Sequence, residues 1–522
     1  MASAFPPIRP YARGDVAAPT AAEAVALDRA AIERAGVPEP VLMDNAGRAA
    51  AAVLQRLFPS GPVLGLVGAG NNGGDALVVL RTLLAWGRDV RGVLVADRSH
   101  CEDLLHGWRV PLVSDRDLGE ADWRSLLSTA AVVVDGVLGT GASGPPRERQ
   151  AGALTRLNGA GRPVLALDVP SGIDASTGAV EGAAACAAVT VAMGAPKLGS
   201  LLHPARPHVG RLVAVDIGFP PQATDAAGAW VATPAWARAR FPRRPTDTHK
   251  KAVGSVLIVA GRRGMAGAAV LAARAAFRAG AGLVRVCSST DNREILQSAV
   301  PEAIWVEASD PAALREALAA SDAVAAGPGL GADEEAARLL ADVLAGSRCP
   351  TVLDADALNL AAAGRVDLAS AARERPILIT PHPGEMARLR PAAKGVDAAR
   401  AASAAAAAFG CAVLLKGAPS VVADPKGALL VDTQSSSDLA VAGMGDALTG
   451  VAAALLAQGL EPAAAAATAL YLSGRAARIA GRGAALVPSD VIRHLGDALG
   501  ERGEPTTDLG LPFVTFDADP AA

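Results

Sequence analysis

The chain has 522 residues, of which 51% are hydrophobic and 19% charged, and its formal net charge is −3. The near-neutral balance argues against a nucleic-acid protein, which needs a clustered basic excess to neutralise phosphates, and 3% aromatic residues leave little for base-stacking platforms. High hydrophobicity with low net charge also excludes a disordered chain. At roughly 150 residues per domain the length suits two to four domains. Cys101, Cys186, Cys287, Cys349 and Cys411 are widely spaced without a CxxC, which predicts a reduced, intracellular protein. The start lacks a basic segment followed by an apolar one, and no apolar run reaches the ~18 residues of a membrane span. The expected location is the cytoplasm, with neither membrane nor nucleic acid as partner.

In chain order, short apolar runs alternate with Ala-rich stretches of helical character. Strands are predicted at 63–67, 90–95, 131–135, 164–168 and 212–216, then at 255–260, 283–286, 323–326, 351–354, 377–380 and 412–416. Their unbroken apolarity indicates burial on both faces, as in parallel sheets, and alternation with helices gives α/β layers. The proline-bearing stretch 219–244 reads as a junction. It places domains at 1–225 and 226–522. The Ala-rich run 401–409 reads as an ordinary helix.

The first half carries GAGNNGGD, Gly68 to Asp75, between a strand and a helix beginning at Ala76. Gly68, Gly70 and Gly73 satisfy G-x-G-x-x-G, which suits a phosphate at a helix N-terminus. Asp97 follows the next strand, about where an acid would hold a ribose; the bland alternative is a turn with Asp75 as helix cap. Further strands end at Asp135, before GVLGTGASGPP, and at Asp168, before VPSGIDASTG with Ser171 and Asp174. Strand-end acids, asparagines and a hydroxyl are hard oxygen ligands suited to a hard cation. Lys197 follows a strand in VTVAMGAPKLGS; such a lysine is usually a solvated charge.

These co-ordered motifs, from ALDRAAIERAGVPEPVLMDNAG to about Asp216, resemble the NAD(P)H-hydrate epimerase domain. The resemblance implies a Rossmann-like three-layer fold in which Asn71, Asn72, Gly73, Gly74 and Asp75, with Gly139, Thr140, Gly141, Ala142, Ser143, Gly144 and Pro145, hold the hydrated dinucleotide. It further implies potassium at Asn72, Asp135 and Ser171, with Asp168 and Lys197 at the reacting ring. Ala187 and Ala188 stand where Ala-Asp is common, and Met193 replaces an aromatic residue. Inverting the hydroxyl-bearing C6 of the hydrate needs proton removal and return, work for a positioned carboxylate.

The second half carries VAGMGDALTG, Val441 to Gly450, before a helix. Gly443 and Gly445 free backbone amides at a helix N-terminus, where the dipole favours a phosphoryl group, and Asp446 on the same turn supplies a base for an attacking hydroxyl. A helix merely capped by Asp446 is the plain alternative. AAGPGLG (Ala325 to Gly331), TVLDADALN with Asp354 and Asp356, ILITPHPGEMARL with His382 and Glu385, and VLLKGAPSVV with Lys416 surround it. The seven histidines form no metal spacing, and the Walker A pattern is absent.

Together these resemble the ADP-dependent NAD(P)H-hydrate dehydratase domain, from His249 to the early 490s. The resemblance implies a ribokinase-like three-layer fold with Asp446 as base. It sets Gly445 and Lys416, Gly417, Ala418, Pro419 and Ser420 around ADP, and Ala268, Gly329 and His382 around the hydrated cofactor. Magnesium would neutralise the nucleotide. The expectation is a bifunctional NAD(P)H-hydrate repair enzyme, isomerase and lyase in one homo-oligomeric chain. The rivals are a ribokinase-like small-molecule kinase fused to a dinucleotide-binding domain, and a regulatory module that senses dinucleotides without turnover.

Overall fold

The computed structural model describes residues 13–14, 16–97, 101–220, 227–244, 246–249, 253–501 and 507–519. The chain divides into two compact units: one runs to Val231 and takes in the C-terminal segment after Gly503, the other spans Ala232–Gly503.

In the first unit, strands β1 (Val63–Val67), β2 (Val90–Leu94), β3 (Leu112–Ser114), β4 (Val132–Gly136), β5 (Val164–Leu167), β6 (Val189–Met193) and β7 (Arg211–Val215) form a parallel sheet in the order β7-β6-β5-β4-β1-β2-β3. β1, β4, β5 and β6 are buried along their whole length, as their unbroken apolarity requires. The order reverses between β1 and β4. In open α/β sheets such a switch opens a crevice at the carboxyl ends of the strands. This is the expected Rossmann-like three-layer arrangement.

An eighth strand, Val514–Ala518, lies antiparallel to β7 with an irregularity between Val514 and Phe516. It corrects the domain expectation: the chain beyond Gly503 belongs with the first unit, so the second domain does not extend to residue 522. Sequence periodicity missed this strand because one edge strand carries too little apolar pattern. Phe516 is buried and Arg211 of β7 grips Asp517.

In the second unit, β9 (Ser255–Val259), β10 (Leu283–Ser288), β11 (Ile304–Glu307), β12 (Ala323–Ala326), β13 (Thr351–Leu353), β14 (Ile377–Ile379) and β15 (Ala412–Leu415) are parallel. β16 (Val421–Ala423) and β17 (Leu429–Asp432) add an antiparallel extension. The order is β11-β10-β9-β12-β13-β14-β15-β16-β17-β8, with β8 being Ala229–Ala232. The junction read at 219–244 is therefore partly structured. Ala229–Ala232 is a strand, Pro234–Arg238 a helix, and Trp236 and Phe241 are buried core residues. The Ala-rich run lies in the helix Ala398–Phe409, as expected. Small residues let helices close on each other: a side chain at Gly450, in the helix Met444–Ala457, would put Cβ 2.1 Å from the carbonyl oxygen of Ala272 in the helix Ala266–Arg278. Among the described residues no helix is long and apolar enough to cross a membrane.

Phe516→Ala is expected to cost about 3–5 kcal/mol by emptying the seam between β7 and the last strand. Chemical denaturation resolving the two units checks this; loss confined to the second unit would contradict the strand assignment.

Two candidate active sites

The crevice at the β1/β4 switch is a cleft of about 480 Å3. Asn71, Asn72 and Asp75 reach it from beyond β1, Gly139 to Ala142 from beyond β4, Asp168 from beyond β5 and Lys197 from beyond β6. The helix after β1 begins at Asn71 with Gly70 as N-cap, five residues earlier than expected. Asp75 is therefore not its cap, and the NNGGD segment opens the helix, where the dipole favours an anion. Gly73 serves the approach of helix to strand, since a Cβ there would lie 2.0 Å from the Gly68 carbonyl oxygen. Gly73, Gly74, Ser143, Gly144 and Pro145 do not line the cleft. Asp97 does not either: it is exposed and held by Arg116 and Arg149, which ends the ribose-acid reading.

Asp168 has φ 62°, a left-handed conformation that non-glycine residues rarely take. Its anchored carboxylate fixes that conformation. Oδ1 accepts from Lys197 Nζ and from the Met193 amide at 3.1 Å, and Oδ2 accepts from the Thr140 hydroxyl. Lys197 also donates to the Met193 carbonyl at 2.9 Å and is only 5% exposed. It is thus a buried ion-pair partner, not the solvated charge that its lone position after a strand suggests.

Behind this wall Asp135 is completely buried, accepting from the Ser171 hydroxyl at 2.6 Å and the Ser171 amide at 2.8 Å. Burial pushes its carboxyl above the usual range, against the pull of those hydrogen bonds. Leu138 gathers the neighbours, its carbonyl accepting from Asn72 Nδ2 at 2.8 Å and its amide donating to Ser171 Oγ at 2.8 Å. Asn72 Oδ1 is left buried with no hydrogen-bond partner. An orphaned carbonyl oxygen beside a buried carboxylate and a hydroxyl fits a hard cation.

Sequence reasoning missed two acids of the cleft, Asp28 and Glu39. Asp28 lay within a quoted motif, but nothing in its spacing marked it as more than a helix-surface charge.

In the second unit the helix Met444–Ala457 starts at Gly443, whose φ is 86°, and carries Asp446 in its first turn. Asp446 is its third residue and not its cap. A Cβ on Gly445 would lie 3.2 Å from Lys416 Nζ and 3.7 Å from Asp354 Oδ2, so the glycine turn and Lys416 share one pocket. Asp354 at the end of β13 accepts from Lys416 Nζ at 2.6 Å and from the Thr449 hydroxyl at 2.7 Å. Desolvation raises the Asp446 carboxyl to about 6, with Asp354 and Asp356 adding and Lys416 opposing.

The other predicted residues surround this centre. The Lys416 amide donates to the Pro381 carbonyl at 2.9 Å, tying it to the turn of His382. His382 caps the helix Pro383–Leu389, its Nδ1 accepting from the Gly384 amide at 3.0 Å, while Glu385 accepts from the His382 amide at 2.9 Å. Ser420 Oγ links to Gly417 in both directions, at 3.1 and 2.8 Å, closing the turn that contains Ala418 and Pro419. A Cβ on Gly329 would meet that of Ala268 at 3.3 Å. The structuring roles of Asp354 and Thr449 are not legible in the sequence, where TVLDADALN marks Asp354 only as an acid near the turn of Asp446.

Two family profiles match the chain: one described as YjeF-related protein N-terminus over residues 39–199, and one described as NAD(P)H-hydrate dehydratase over residues 256–496. The bifunctional NAD(P)H-hydrate repair enzyme Nnr of Moorella thermoacetica is 38% identical, over 89% of this chain and 92% of its own length. That of Salinibacter ruber is 39% identical, over 88% and 91%. Among solved structures, an ADP/ATP-dependent NAD(P)H-hydrate dehydratase from Bacillus subtilis, co-crystallised with ATP and Mg2+, is 30% identical. It matches with a TM-score of 0.45, covering 50% of this chain and 95% of that one.

The raised Asp446 carboxyl means that the folded chain holds this proton more tightly than the unfolded one. Its contribution to stability is full below the ordinary carboxylate range and is lost as pH rises through about 6. Asp446→Asn should therefore raise the melting temperature of the second unit more at pH 8 than at pH 5. Equal shifts at both pH values would contradict a desolvated carboxylate.

Proposed function

The chain belongs to the family of bifunctional NAD(P)H-hydrate repair enzymes, and we propose that its first cleft interconverts the R and S hydrates while its second site dehydrates the S form with ADP. The observation that carries this reading is the union of two sites suited to successive steps of one chemistry: an anchored carboxylate–ammonium pair in one unit and a glycine-rich anion hole with its own acid in the other. The enzyme is an isomerase and a lyase.

In the first cleft Asn71, Asn72 and Asp75 with Gly139 to Ala142 cradle the dinucleotide, and Asp168, oriented by Lys197 and Thr140, moves a proton at the C6 hydroxyl. Asn72, Asp135 and Ser171 would hold potassium, whose charge would steady the loops beside the phosphates. In the second site Ala268, Gly329 and His382 hold the hydrate. Lys416 to Ser420 and Gly445 hold ADP, which enters as its magnesium complex.

Asp446 takes the proton of the C6 hydroxyl as its oxygen attacks the β-phosphorus. The new O–P bond forms as the bond to AMP breaks, with amides at the helix N-terminus stabilising the charge. The ring nitrogen then expels phosphate with the C6–O electrons, and loss of a C5 proton restores the double bond of NAD(P)H. The free thiols of Cys186, Cys287, Cys349 and Cys411 support a reducing, cytoplasmic setting. A homo-oligomer completes the proposal, with light scattering as its check.

With mixed hydrate epimers, wild-type protein and ADP should restore the full dihydronicotinamide absorbance. Asp168→Ala should stop near the S fraction, followed by a slow drift, and Asp446→Ala should cut the rate by about 10²–10⁴-fold. No recovery with ADP or ATP, or a stable phosphorylated product, would favour the small-molecule kinase instead. Exchanging potassium for lithium should slow epimerisation and spare dehydration of pure S hydrate.

A further inference from the structure

The first cleft has two unlike walls. Strand-end turns bring Asp168, Thr140 and Lys197, while the N-terminal helices bring Ala24, Asp28 and Leu42. Asp28 sits near the end of the helix Ala21–Arg29, whose start is fixed by a reciprocal cap between Thr20 and Glu23. The Ala21 amide donates to Ser176 Oγ at 2.9 Å, and the Leu198 amide donates to the Pro19 carbonyl at 2.9 Å. The wall carrying Asp28 is therefore fastened to the residue next to Lys197. Directly after it, Ala30–Arg34 winds as a π-helical turn, a geometry frequent at functional sites. The Asp28 side chain is open to the cleft. Desolvation by the surrounding walls nevertheless raises its carboxyl, with Asp168 and Glu39 adding and Lys197 opposing.

Resting on the epimerase reading of this cleft, we propose that Asp28 is its second proton-transfer group, working on the face of the ring opposite Asp168. Inversion at C6 needs access to both faces. A carboxylic acid on one wall gives its proton to the departing hydroxyl, the C6–O bond breaks, and the ring-nitrogen lone pair forms the C6=N1 bond. Water then adds from the other face, forming the new C6–O bond and giving its proton to the carboxylate there. Atoms and charge balance: one water leaves, one enters, and the two carboxyls exchange protonation states. Lys197 faces both and offsets the single negative charge that they share. Two other acids line the cleft: Glu39, which accepts from Asn71 Nδ2 at 3.1 Å, and Asp75 in the helix after β1.

The test follows pure R hydrate with the full-length protein. In Asp28→Asn, kcat for inversion should fall by about 100-fold or more with KM within about twofold, while dehydration of S hydrate with ADP by the same molecules stays at the wild-type rate. Asp28→Glu should recover part of kcat. In oxygen-18 water without ADP, wild-type inversion should introduce one solvent oxygen per event. Unchanged kcat in Asp28→Asn, a rise in KM alone, or inversion without oxygen exchange would overturn the inference and leave the epimerase reading standing. Failure of the unsubstituted chain to invert R hydrate would overturn both.

Discussion

Each unit carries a lysine–aspartate pair beyond the carboxyl ends of its parallel strands. Lys197 pairs with Asp168 in the first and Lys416 with Asp354 in the second. Such a pair persists only where its remaining hydrogen-bonding capacity is met, because removing both ions from water costs several kcal/mol apiece. Both pairs meet that condition. The Met193 amide and Thr140 complete Asp168, and Thr449 completes Asp354. The parallel sheets supply these partners because their strands end on one side: β5 and β6 are adjacent below Asp168 and Lys197, while β14 separates β13 from β15 below Asp354 and Lys416.

The two units put the device to different uses. In the first, the paired carboxylate lies on the cleft wall and is itself the group proposed to handle the proton. In the second, the pair stands beside a separate acid: desolvation raises Asp446, Asp354 adds to the rise and Lys416 opposes it. A carboxyl near 6 is nearly matched to neutral operating pH, which serves a group that must both accept and release a proton. Helix N-termini complete each site, and in both the glycine-rich segment is the first turn of the helix.

Much of this was legible because apolar runs buried on both faces have one simple signature. β1 was expected at its observed bounds, and most other central strands within a residue or two. What escaped were the outermost strands Leu112–Ser114, Ala229–Ala232, Ile304–Glu307 and Val514–Ala518, and the short antiparallel pair Val421–Ala423 and Leu429–Asp432. Edge strands are short and partly exposed, so their pattern resembles that of loops. At the sites, glycine turns and strand-end acids could be read because they are local. Asp28 could not, because its proximity to Lys197 depends on how an N-terminal helix folds back across the chain. The Asp97 reading failed for a related reason: two arginines distant in sequence, Arg116 and Arg149, claim it.

The return of Val514–Ala518 to β7 has a consequence for biosynthesis. A ribosome makes β1 to β7 first, then the whole of the second unit, and only then the strand that covers the β7 edge. The nascent first sheet therefore waits with an open border through synthesis of more than half the polypeptide. Messages cut short anywhere downstream would yield a first unit with that border still bare, a template for unwanted strand pairing. Maturation of the first site is thereby tied to completion of the second, and the two activities reach the cell in fixed one-to-one proportion.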